Sequence, residues 1–256
     1  RLIKLIEDIY EISSKLRLLF HLILSAAIVA AYSNFAYQSL LISIFLFLFC
    51  VIFISGTANF YNFMDGINGI AGLTGIVAFG LMAYFSFYIA HNPNIAILSI
   101  ALMFACLGFL PFNFPNARVF MGDAGSVFLG FVFASFVIKL SSNITVFLCL
   151  IMFLSTFYGD ALVTIYRRWR RGENLTMAHR SHLYQYLSNK LGMPHWLVSV
   201  IYASVQLLFG LSAVFAYGKG IYWQLLVLGV FSVLFLASYI IIKNMNLIES
   251  IDTVVN

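Results

Sequence analysis

Charge is what this 256-residue chain lacks most. Only 9% of its residues are charged, whereas soluble domains carry about 25%. By contrast, 62% of the residues are hydrophobic, and the mean hydropathy is +0.99. One water-soluble core could not enclose so much apolar surface, which excludes an ordinary soluble domain. The composition predicts an all-α, polytopic integral membrane protein.

Cysteine and proline are also scarce. The three cysteines all lie in apolar runs and have neither disulfide nor metal spacing, so we interpret them as small buried hydrophobic residues. The four prolines and several glycines punctuate the apolar runs. We predict eight spans within one membrane-embedded domain, residues 1–256: 16–33, 38–56, 67–90, 95–110, 124–140, 144–163, 195–217 and 221–242. Because the chain opens with Arg1, we expect a fragment that lacks N-terminal spans.

Acidic residues are absent from one side of this predicted topology. Eight spans place both chain ends on one side, together with residues 57–66, 111–123 and 164–194. That side carries 12 lysines and arginines, and the other side carries 2. The positive-inside rule therefore predicts that the basic side is cytoplasmic, and it explains the net charge of +5 without nucleic acid. Since the acids gather on the same side, we expect one cytoplasmic site.

The segment NFYNFMDGINGIAGLTG, residues 59–75, carries the first group of candidates. Asn59, Asn62, Asp65 and Asn68 recur every three residues, which would form a drifting polar stripe on a helix. Polar side chains at a membrane boundary need partners, so we predict a ligand or metal role for Asp65. The glycines at every third position are typical of close helix packing instead.

The segment PFNFPNARVFMGDAGSVFLG, residues 111–130, places Asp123 between two glycines at the mouth of an apolar helix. The prolines at 111 and 115 predict an interrupted helix. Asp123 has two interpretations on spacing alone. It could cap the helix N-terminus, or it could hold the Mg²⁺ that accompanies a phosphate bound there. Asn116 in the preceding loop is a further substrate-binding candidate.

Two further polar segments lie on the same side. Glu7 and Asp8 are either a solvated loop or, together with Asp65 and Asp123, a source of a metal ligand or a base. His179 and His182 would share a face if they were helical. A zinc pair would need further ligands nearby, so donors to phosphate or sugar fit better, with Arg180 adding charge.

Taken together, these motifs resemble the polyprenyl-phosphate N-acetylhexosamine-1-phosphate transferase family of membrane enzymes. NFYNFMDGINGI resembles its Asn-rich Asp-Gly segment, ARVFMGDAGS its most specific signature, and AHRSHLYQ its histidine motif, in family order along nearly the whole chain. Glu7-Asp8 is a weaker fourth match. The resemblance implies transfer of a sugar-1-phosphate from a UDP-sugar to undecaprenyl phosphate, with release of UMP, at the bacterial inner membrane. It also implies a requirement for Mg²⁺, with Mn²⁺ as a substitute.

By residue, the resemblance assigns Asp123 as the metal-ligating aspartate. Asp65, with Asn59 and Asn62, would line the nucleotide-diphosphate cleft, and Asp65 would be a second metal ligand. Asp8 would help to activate the lipid phosphate. The resemblance assigns contact with the nucleotide sugar or its phosphates to His179 and His182, and Arg180, Asn68 and Asn116 are further substrate-binding candidates.

Three positions depart from the family pattern: Glu7 and Asn68 stand where aspartates are usual, and the histidine core reads His-Arg-Ser-His. The last departure favours the O-antigen-initiating branch over the peptidoglycan-precursor branch. Two other classes remain as alternatives. A transporter would carry acids near mid-span on both sides of the midplane, and an inactive scaffold would keep the fold without the chemistry. The sequence leaves a monomer and a homodimer open.

Overall fold

The computed structural model describes residues 14–32, 39–174 and 180–255, with side chains described between residues 16 and 244 of those ranges. The described residues form ten α-helices and no strand. They are α1 Ser14–Tyr32, α2 Leu40–Phe63, α3 Ile70–Tyr84, α4 Pro93–Asn113, α5 Gly122–Leu140, α6 Ile144–Ile151, α7 Ser155–Arg170, α8 Leu183–Asn189, α9 His195–Tyr217 and α10 Ile221–Val255. A π-helical turn, Phe85–Ile89, extends α3, and a 3₁₀ turn, Met152–Leu154, joins α6 to α7.

The predicted all-α membrane bundle is confirmed. Among the described residues, seven helical segments are long and apolar enough to cross a bilayer, and α1 is a shorter apolar helix. Each of the eight predicted spans coincides with one of these eight segments. Helices suit this setting because they satisfy their backbone hydrogen bonds internally, where no water is available.

Two helix ends differ from the sequence prediction. Helix α2 continues to Phe63, seven residues beyond the predicted span, so Asn59 and Asn62 are helical. The polar stripe nevertheless breaks after Asn62, because Asp65 and Asn68 lie in the turn that precedes α3. Helix α4 runs through Pro111 but ends at Asn113, before Pro115, so the predicted interruption between the two prolines and α5 is confirmed, three residues later than the predicted span end. A proline in the last turn removes little backbone hydrogen bonding from the helix, since the helix ends two residues later.

The interior of the bundle is formed by α3 and by the α6–α7 segment. In both, 61% of the most apolar window is buried, against 11% for α10, which faces outward. Helix α3 packs against α4 and α9, and α2 packs against α1 and α5. Large apolar side chains on the outer helices are exposed, as expected of surfaces that meet lipid.

Small residues set how closely α2 and α5 approach. A Cβ added at Gly130 of α5 would lie 2.6 Å from the Tyr61 Cβ, 2.8 Å from the Thr57 carbonyl oxygen and 2.9 Å from the Ala58 Cα. Two of these atoms are backbone, which cannot move aside cheaply. This contact fixes α5, and with it Asp123, against the helix that carries Asn62.

The polar connections collect at one end of the bundle. They are the α2–α3 turn at 64–69, the α4–α5 loop at 114–121 and the described residues, 171–174 and 180–182, of the α7–α8 segment. We call this the polar end. The opposite end has short turns at 90–92, 141–143 and 218–220, where Lys139 lies 4.6 Å from the ring centre of Tyr32.

Candidate active site at the polar end

Asp123 lies in the first turn of α5 and points toward two other helices. Its carboxylate pairs with the guanidinium of Arg17 from α1 and accepts a hydrogen bond of 3.1 Å from the Asn62 amide of α2. The Asp123 side chain is 60% exposed, and Met121, not Asp123, occupies the cap position, without a side-chain capping bond. The helix-cap interpretation of Asp123 is therefore wrong, and the carboxylate is available to a ligand.

A serine hydroxyl and a glycine shape the start of α5. Ser126, one turn into α5, accepts a 3.0 Å hydrogen bond from the same Asn62 amide and donates to the Gly122 carbonyl. Gly122 has a φ of +71°, a backbone conformation that side-chain-bearing residues rarely adopt. The glycine thus allows the sharp entry into α5 that presents Asp123, while Asn62 fixes its direction.

Asp65 lies beside this group, in the turn after α2. Burial, and then the negative charge of Asp123, raise the pKa of the Asp65 carboxyl to about 7. The Asp65 backbone N–H donates 3.2 Å to the Asn62 carbonyl, and the Asn62 side chain donates to the Asp123 carboxylate. The structure therefore brings together Asp65, Asp123 and Asn62, which are three of the predicted site residues.

Two neighbouring carboxylates are a donor set that suits Mg²⁺. This ion prefers oxygen ligands and is usually held by one or two carboxylates, with waters and substrate phosphates completing its octahedron. No group of three histidine, cysteine or acidic side chains is placed to hold a metal within the described ranges. Asp65 and Asp123 would thus be the protein ligands, and water or phosphate would supply the rest.

The other predicted asparagines have different surroundings. Asn59 lies one turn before Asn62, donates 2.7 Å to the Ser55 carbonyl and approaches His21 of α1 at 3.5 Å. Asn68 donates 3.3 Å to the Pro115 carbonyl, and its own carbonyl accepts from Ser199 of α9. Asn68 therefore joins the turn to its neighbours. Asn116 is exposed in the α4–α5 loop.

Asn113, at the end of α4, is a site residue that the sequence analysis missed. Its side chain is 3% exposed. Its Oδ1 accepts 2.7 Å from the Gly69 N–H, and its Nδ2 donates 2.8 Å to the Val119 carbonyl. One buried amide therefore ties the Asp65 turn to the loop that leads to Asp123. The sequence shows an asparagine after a proline but gives no sign of these two partners.

His182 lies immediately before α8 and is buried, with 1% of its surface exposed. His182 is not helical, so the geometry in which it would share a helix face with His179 does not apply to it. His179 lies outside the described residues, as do Glu7 and Asp8. The His182 Nδ1 is 3.3 Å from the Asp160 Oδ1 of α7. A carboxylate only accepts, so Nδ1 carries the proton that joins them.

Asp160 is the second residue that the sequence analysis did not assign. It is fully buried and accepts from five groups: His182 Nδ1, the Leu183 and Tyr184 backbone N–H groups at 2.8 and 3.1 Å, Tyr202 Oη at 2.7 Å and Thr164 Oγ1 at 3.1 Å. The two N–H groups are the first of α8, which otherwise lack partners. A lone acid inside an apolar run signalled that a partner must exist, but not which one.

The α7–α8 segment is held at its two described ends. Near its start, Arg168, itself 5% exposed, donates 2.9 Å to the Glu173 carboxylate and 2.6 Å to the Asn174 carbonyl. Near its finish, Lys243 of α10 donates 3.0 Å to the Ser181 carbonyl. Arg180, between these two points, is exposed.

Tyr184 joins this segment to the Asp65 turn. Its hydroxyl donates 2.9 Å to the carbonyl of Phe63, the last residue of α2. Burial, and then the charges of Asp160 and Asp65, raise the pKa of Tyr184, so the hydroxyl remains a donor at neutral pH. The tyrosine also fills the space beside Gly66, where any Cβ would collide with its hydroxyl.

An apolar recess of about 650 Å³ lies at the opposite end of the bundle. Tyr84, Tyr88 and Tyr217 contribute to its lining, between the end of α3 and the end of α9. None of the predicted site residues lines it. It is therefore separate from the carboxylates at the polar end.

Comparison with known proteins identifies the sequence class. The family model of glycosyl transferase family 4 matches residues 2–141, which include Asp65 and Asp123 but not the histidine segment. Similar curated proteins are phospho-N-acetylmuramoyl-pentapeptide-transferases. The one from Staphylococcus epidermidis is 31% identical over 164 residues, 64% of this chain and 50% of that protein. The one from Staphylococcus haemolyticus is 35% identical over 107 residues, 42% of this chain and 33% of that protein.

The match to the Staphylococcus aureus protein of the same name is 31% identical over 165 residues and again covers 64% of this chain and 50% of the relative. The chain thus spans about half the length of these two longer-matching relatives. The family match itself covers more than half of this chain and contains both carboxylates of the polar end. The chain belongs to glycosyl transferase family 4.

Proposed function

We propose that this protein transfers a sugar-1-phosphate from a UDP-sugar to undecaprenyl phosphate, giving the undecaprenyl-diphosphate sugar and UMP. The observation that carries the proposal is that Asn62 links the Asp65 turn, through its carbonyl, to the Asp123 carboxylate, through its amide, at the polar end of a family 4 membrane bundle. Two polar, partly exposed carboxylates there suit a metal-bound diphosphate, and the surrounding apolar helices suit a lipid acceptor.

In the proposed reaction, an oxygen of the lipid phosphate attacks the β-phosphorus of the UDP-sugar. The bond from that phosphorus to the bridging oxygen breaks, and UMP leaves with the bridging oxygen. Positioning and charge neutralisation provide most of the catalysis in such transfers. When bound by Asp65 and Asp123, Mg²⁺ would supply charge neutralisation on the diphosphate. Mn²⁺ has the same ligand preference and is the expected substitute.

The protein's own residues have separate tasks in this proposal. Asn62 orients the Asp123 carboxylate by its 3.1 Å hydrogen bond. Arg17 brings a guanidinium to the same carboxylate, where it can also neutralise phosphate oxygens. Asn59 and Asn116 would contact the nucleotide sugar, as would His179, Arg180 and His182 from the α7–α8 segment. Asp8 would assist the lipid phosphate, whose own acidity reduces the need for a base.

His182 and Asn68 also support this site through their contacts within the protein. The His182 ring is buried against Asp160, so it supports the segment that carries Arg180. Asn68 bonds to Pro115 and Ser199, so it holds the turn that carries Asp65. Contact of either side chain with substrate remains a prediction.

Two classes of UDP-sugar are candidate substrates for this site. The His-Arg-Ser-His core favours an N-acetylhexosamine donor of the O-antigen-initiating type. The matched relatives instead carry the name phospho-N-acetylmuramoyl-pentapeptide-transferase. We propose the N-acetylhexosamine donor, on the ground that the histidine segment lies outside the family match and departs from the usual motif. We also propose that the polar end faces the cytoplasm of a bacterial inner membrane, in line with the basic residues there.

The test supplies the whole protein in nanodiscs with undecaprenyl phosphate and three donors: UDP-N-acetylglucosamine, UDP-N-acetylgalactosamine and UDP-N-acetylmuramoyl-pentapeptide. UMP release is measured with Mg²⁺, with Mn²⁺ and with chelator. We expect metal-dependent UMP release with an N-acetylhexosamine donor, abolished in Asp123→Asn. Turnover of the pentapeptide donor alone would overturn the donor assignment and keep the reaction.

Asn143→Ala is a suitable control, because Asn143 caps α6 at the opposite end of the bundle. It should keep the donor preference and the metal requirement. Absence of UMP release from all three donors, by protein whose helix content and elution profile are normal, would favour the scaffold. The transporter finds no support in the buried acid Asp160, because five donors already saturate that carboxylate.

A further inference from the structure

We propose that Asp160 is a positioning residue that couples the α7–α8 segment to the Asp65 turn, and so sets the affinity of the site for the nucleotide sugar. This inference rests on the proposed function for the identity of the ligand. It rests on the described contacts alone for the coupling. Asp160 touches no substrate in this scheme and acts through the residues that it holds.

Donors from the protein surround the Asp160 carboxylate completely. Its Oδ1 accepts from His182, Leu183 and Thr164, and its Oδ2 accepts from Tyr184 and Tyr202. A buried carboxylate is costly unless donors surround it, and here every donor is supplied by the protein. A carboxylate whose acceptor positions are filled in this way, inside an apolar span, has a structural role and does not bind a free ligand.

Three of the five donors belong to three consecutive residues, His182 to Tyr184. They comprise a ring nitrogen and the first two backbone N–H groups of α8. A negative charge at a helix N-terminus is also favoured by the helix dipole. Asp160 therefore fixes where α8 begins, and the exposed Arg180 lies only two residues before that point.

Tyr184 connects α8 to the carboxylate site. The Tyr184 backbone N–H donates to Asp160, and its hydroxyl donates to the Phe63 carbonyl, 2.9 Å away. Phe63 ends α2, two residues before Asp65. One side chain thus spans from the Asp160 network to the turn that carries a predicted metal ligand. A shift of α8 would move this turn, and misplacement by about 1 Å can cost about a hundredfold in rate.

The variant Asp160→Asn tests the coupling with little change in shape. One carboxylate oxygen becomes an NH₂ group that faces N–H or O–H donors, so half of the acceptor capacity is lost. Two controls remove a donor and leave the helix start untouched. Thr164→Val removes a donor at 3.1 Å, and Tyr202→Phe removes a buried donor at 2.7 Å. Tyr202→Phe is the control for a general loss of stability.

The first measurement needs no activity. Trypsin cleavage after Arg180 reports on release of the segment, and cleavage after Arg171, at the end of α7, is the internal reference. We expect Asp160→Asn to accelerate cleavage after Arg180 about tenfold relative to Arg171, since proteolysis follows the population of the open form. Thr164→Val and Tyr202→Phe should leave this ratio within about twofold. Equal ratios in all four proteins would overturn the coupling.

The second measurement compares the KM for the UDP-sugar with the KM for undecaprenyl phosphate. We expect the KM for the UDP-sugar to rise at least about tenfold in Asp160→Asn, with the KM for undecaprenyl phosphate within about twofold. Tyr202→Phe should lower the Tm without changing either KM by more than about twofold. If Tyr202→Phe raises the donor KM as much as Asp160→Asn does, the effect is general stability, and the proposal fails.

The two measurements also separate this inference from the proposed function. If the parent protein turns over no UDP-sugar, the proposed function fails, and so does the assignment of the coupling to donor affinity. The cleavage ratio then still decides whether Asp160 holds the segment. If the parent is active and Asp160→Asn matches it in both the cleavage ratio and the donor KM, the proposed function stands and this inference is overturned.

Discussion

The amide of Asn62 donates a 3.1 Å hydrogen bond to the carboxylate of Asp123, joining two residues that are 61 positions apart in the chain. The same amide also donates to Ser126. One side chain at the end of α2 therefore fixes the entry of α5. Since both residues are polar and lie at a helix end, their contact defines the direction in which the Asp123 carboxylate faces.

The first prediction concerns Asn62→Ala. A hydrogen bond to a charged group contributes about 1.5–3 kcal/mol, so its loss should lower kcat/KM about ten- to a hundredfold if Asp123 must be held in one direction. The initial rate of UMP release measures this. Asn94→Ala, an exposed asparagine at the opposite end, is the matched control and should leave kcat/KM unchanged. Equal activity of the two variants would show that Asp123 needs no such orientation.

The second prediction concerns the Arg17–Asp123 ion pair. The two side chains are 50% and 60% exposed, so their pairing should add less than about 1 kcal/mol to the free energy of unfolding. Arg17→Met removes a cation that competes with a metal for the carboxylate. We therefore expect the Mg²⁺ concentration for half-maximal UMP release to fall about two- to fivefold, with a lower maximal rate from the lost phosphate contact.

A control of the same charge change is Lys190→Met, since Lys190 is exposed at the end of α8. This variant should leave the half-saturating Mg²⁺ concentration where it is in the parent. An unaltered Mg²⁺ requirement in Arg17→Met as well would argue against Asp123 as a metal ligand.

The third prediction concerns Asn113, the buried amide between two loops. Asn113→Ala leaves the Gly69 N–H and the Val119 carbonyl without their partner. The Gly69 N–H is buried, and an unsatisfied buried group costs about 1–3 kcal/mol. We expect a lower Tm in detergent and a loss of UMP release that is larger than the loss of stability would produce at the assay temperature. A variant that lost stability but kept its full kcat at low temperature would confine Asn113 to the fold.

The fourth prediction tests the close contact of α2 with α5. Gly130→Ala places a Cβ within 3 Å of Tyr61, Thr57 and Ala58, and overpacking of this kind costs about 1–3 kcal/mol. Thermal unfolding in detergent is the measurement, and the apparent Tm should fall. Gly56→Ala on α2 is the control, because a Cβ there meets nothing within 4 Å. A similar loss in both variants would point to helix flexibility instead of this contact.

The bundle itself was predictable from the sequence. Apolar runs of about 20 residues have few structural options in a bilayer, so all eight predicted spans correspond to helices. The ends were harder to place. Helix α2 runs on past the polar Asn59 to Phe63, and α4 passes Pro111, because backbone hydrogen bonding near a membrane boundary tolerates both.

Part of the candidate site was predictable as well. Asp65 and Asp123 stand out as acids in an apolar chain, and Asn62 connects them, through its carbonyl to the Asp65 N–H and through its side-chain amide to Asp123. The helix-cap interpretation of Asp123 was wrong because the direction of a side chain at a helix start depends on what the other helices offer. Here they offer Arg17 and Asn62.

The sequence by itself determined that this protein is a membrane helical bundle, and it predicted that its acids and most of its basic residues lie at one end. Those features follow from composition and from the sidedness of charge, which need no knowledge of contacts. Only the tertiary structure decided that Asp160 holds the start of α8, that Asn113 joins two loops and that Lys243 reaches Ser181. These partners lie far apart along the chain or on separate elements, so packing, and no local pattern, selects them.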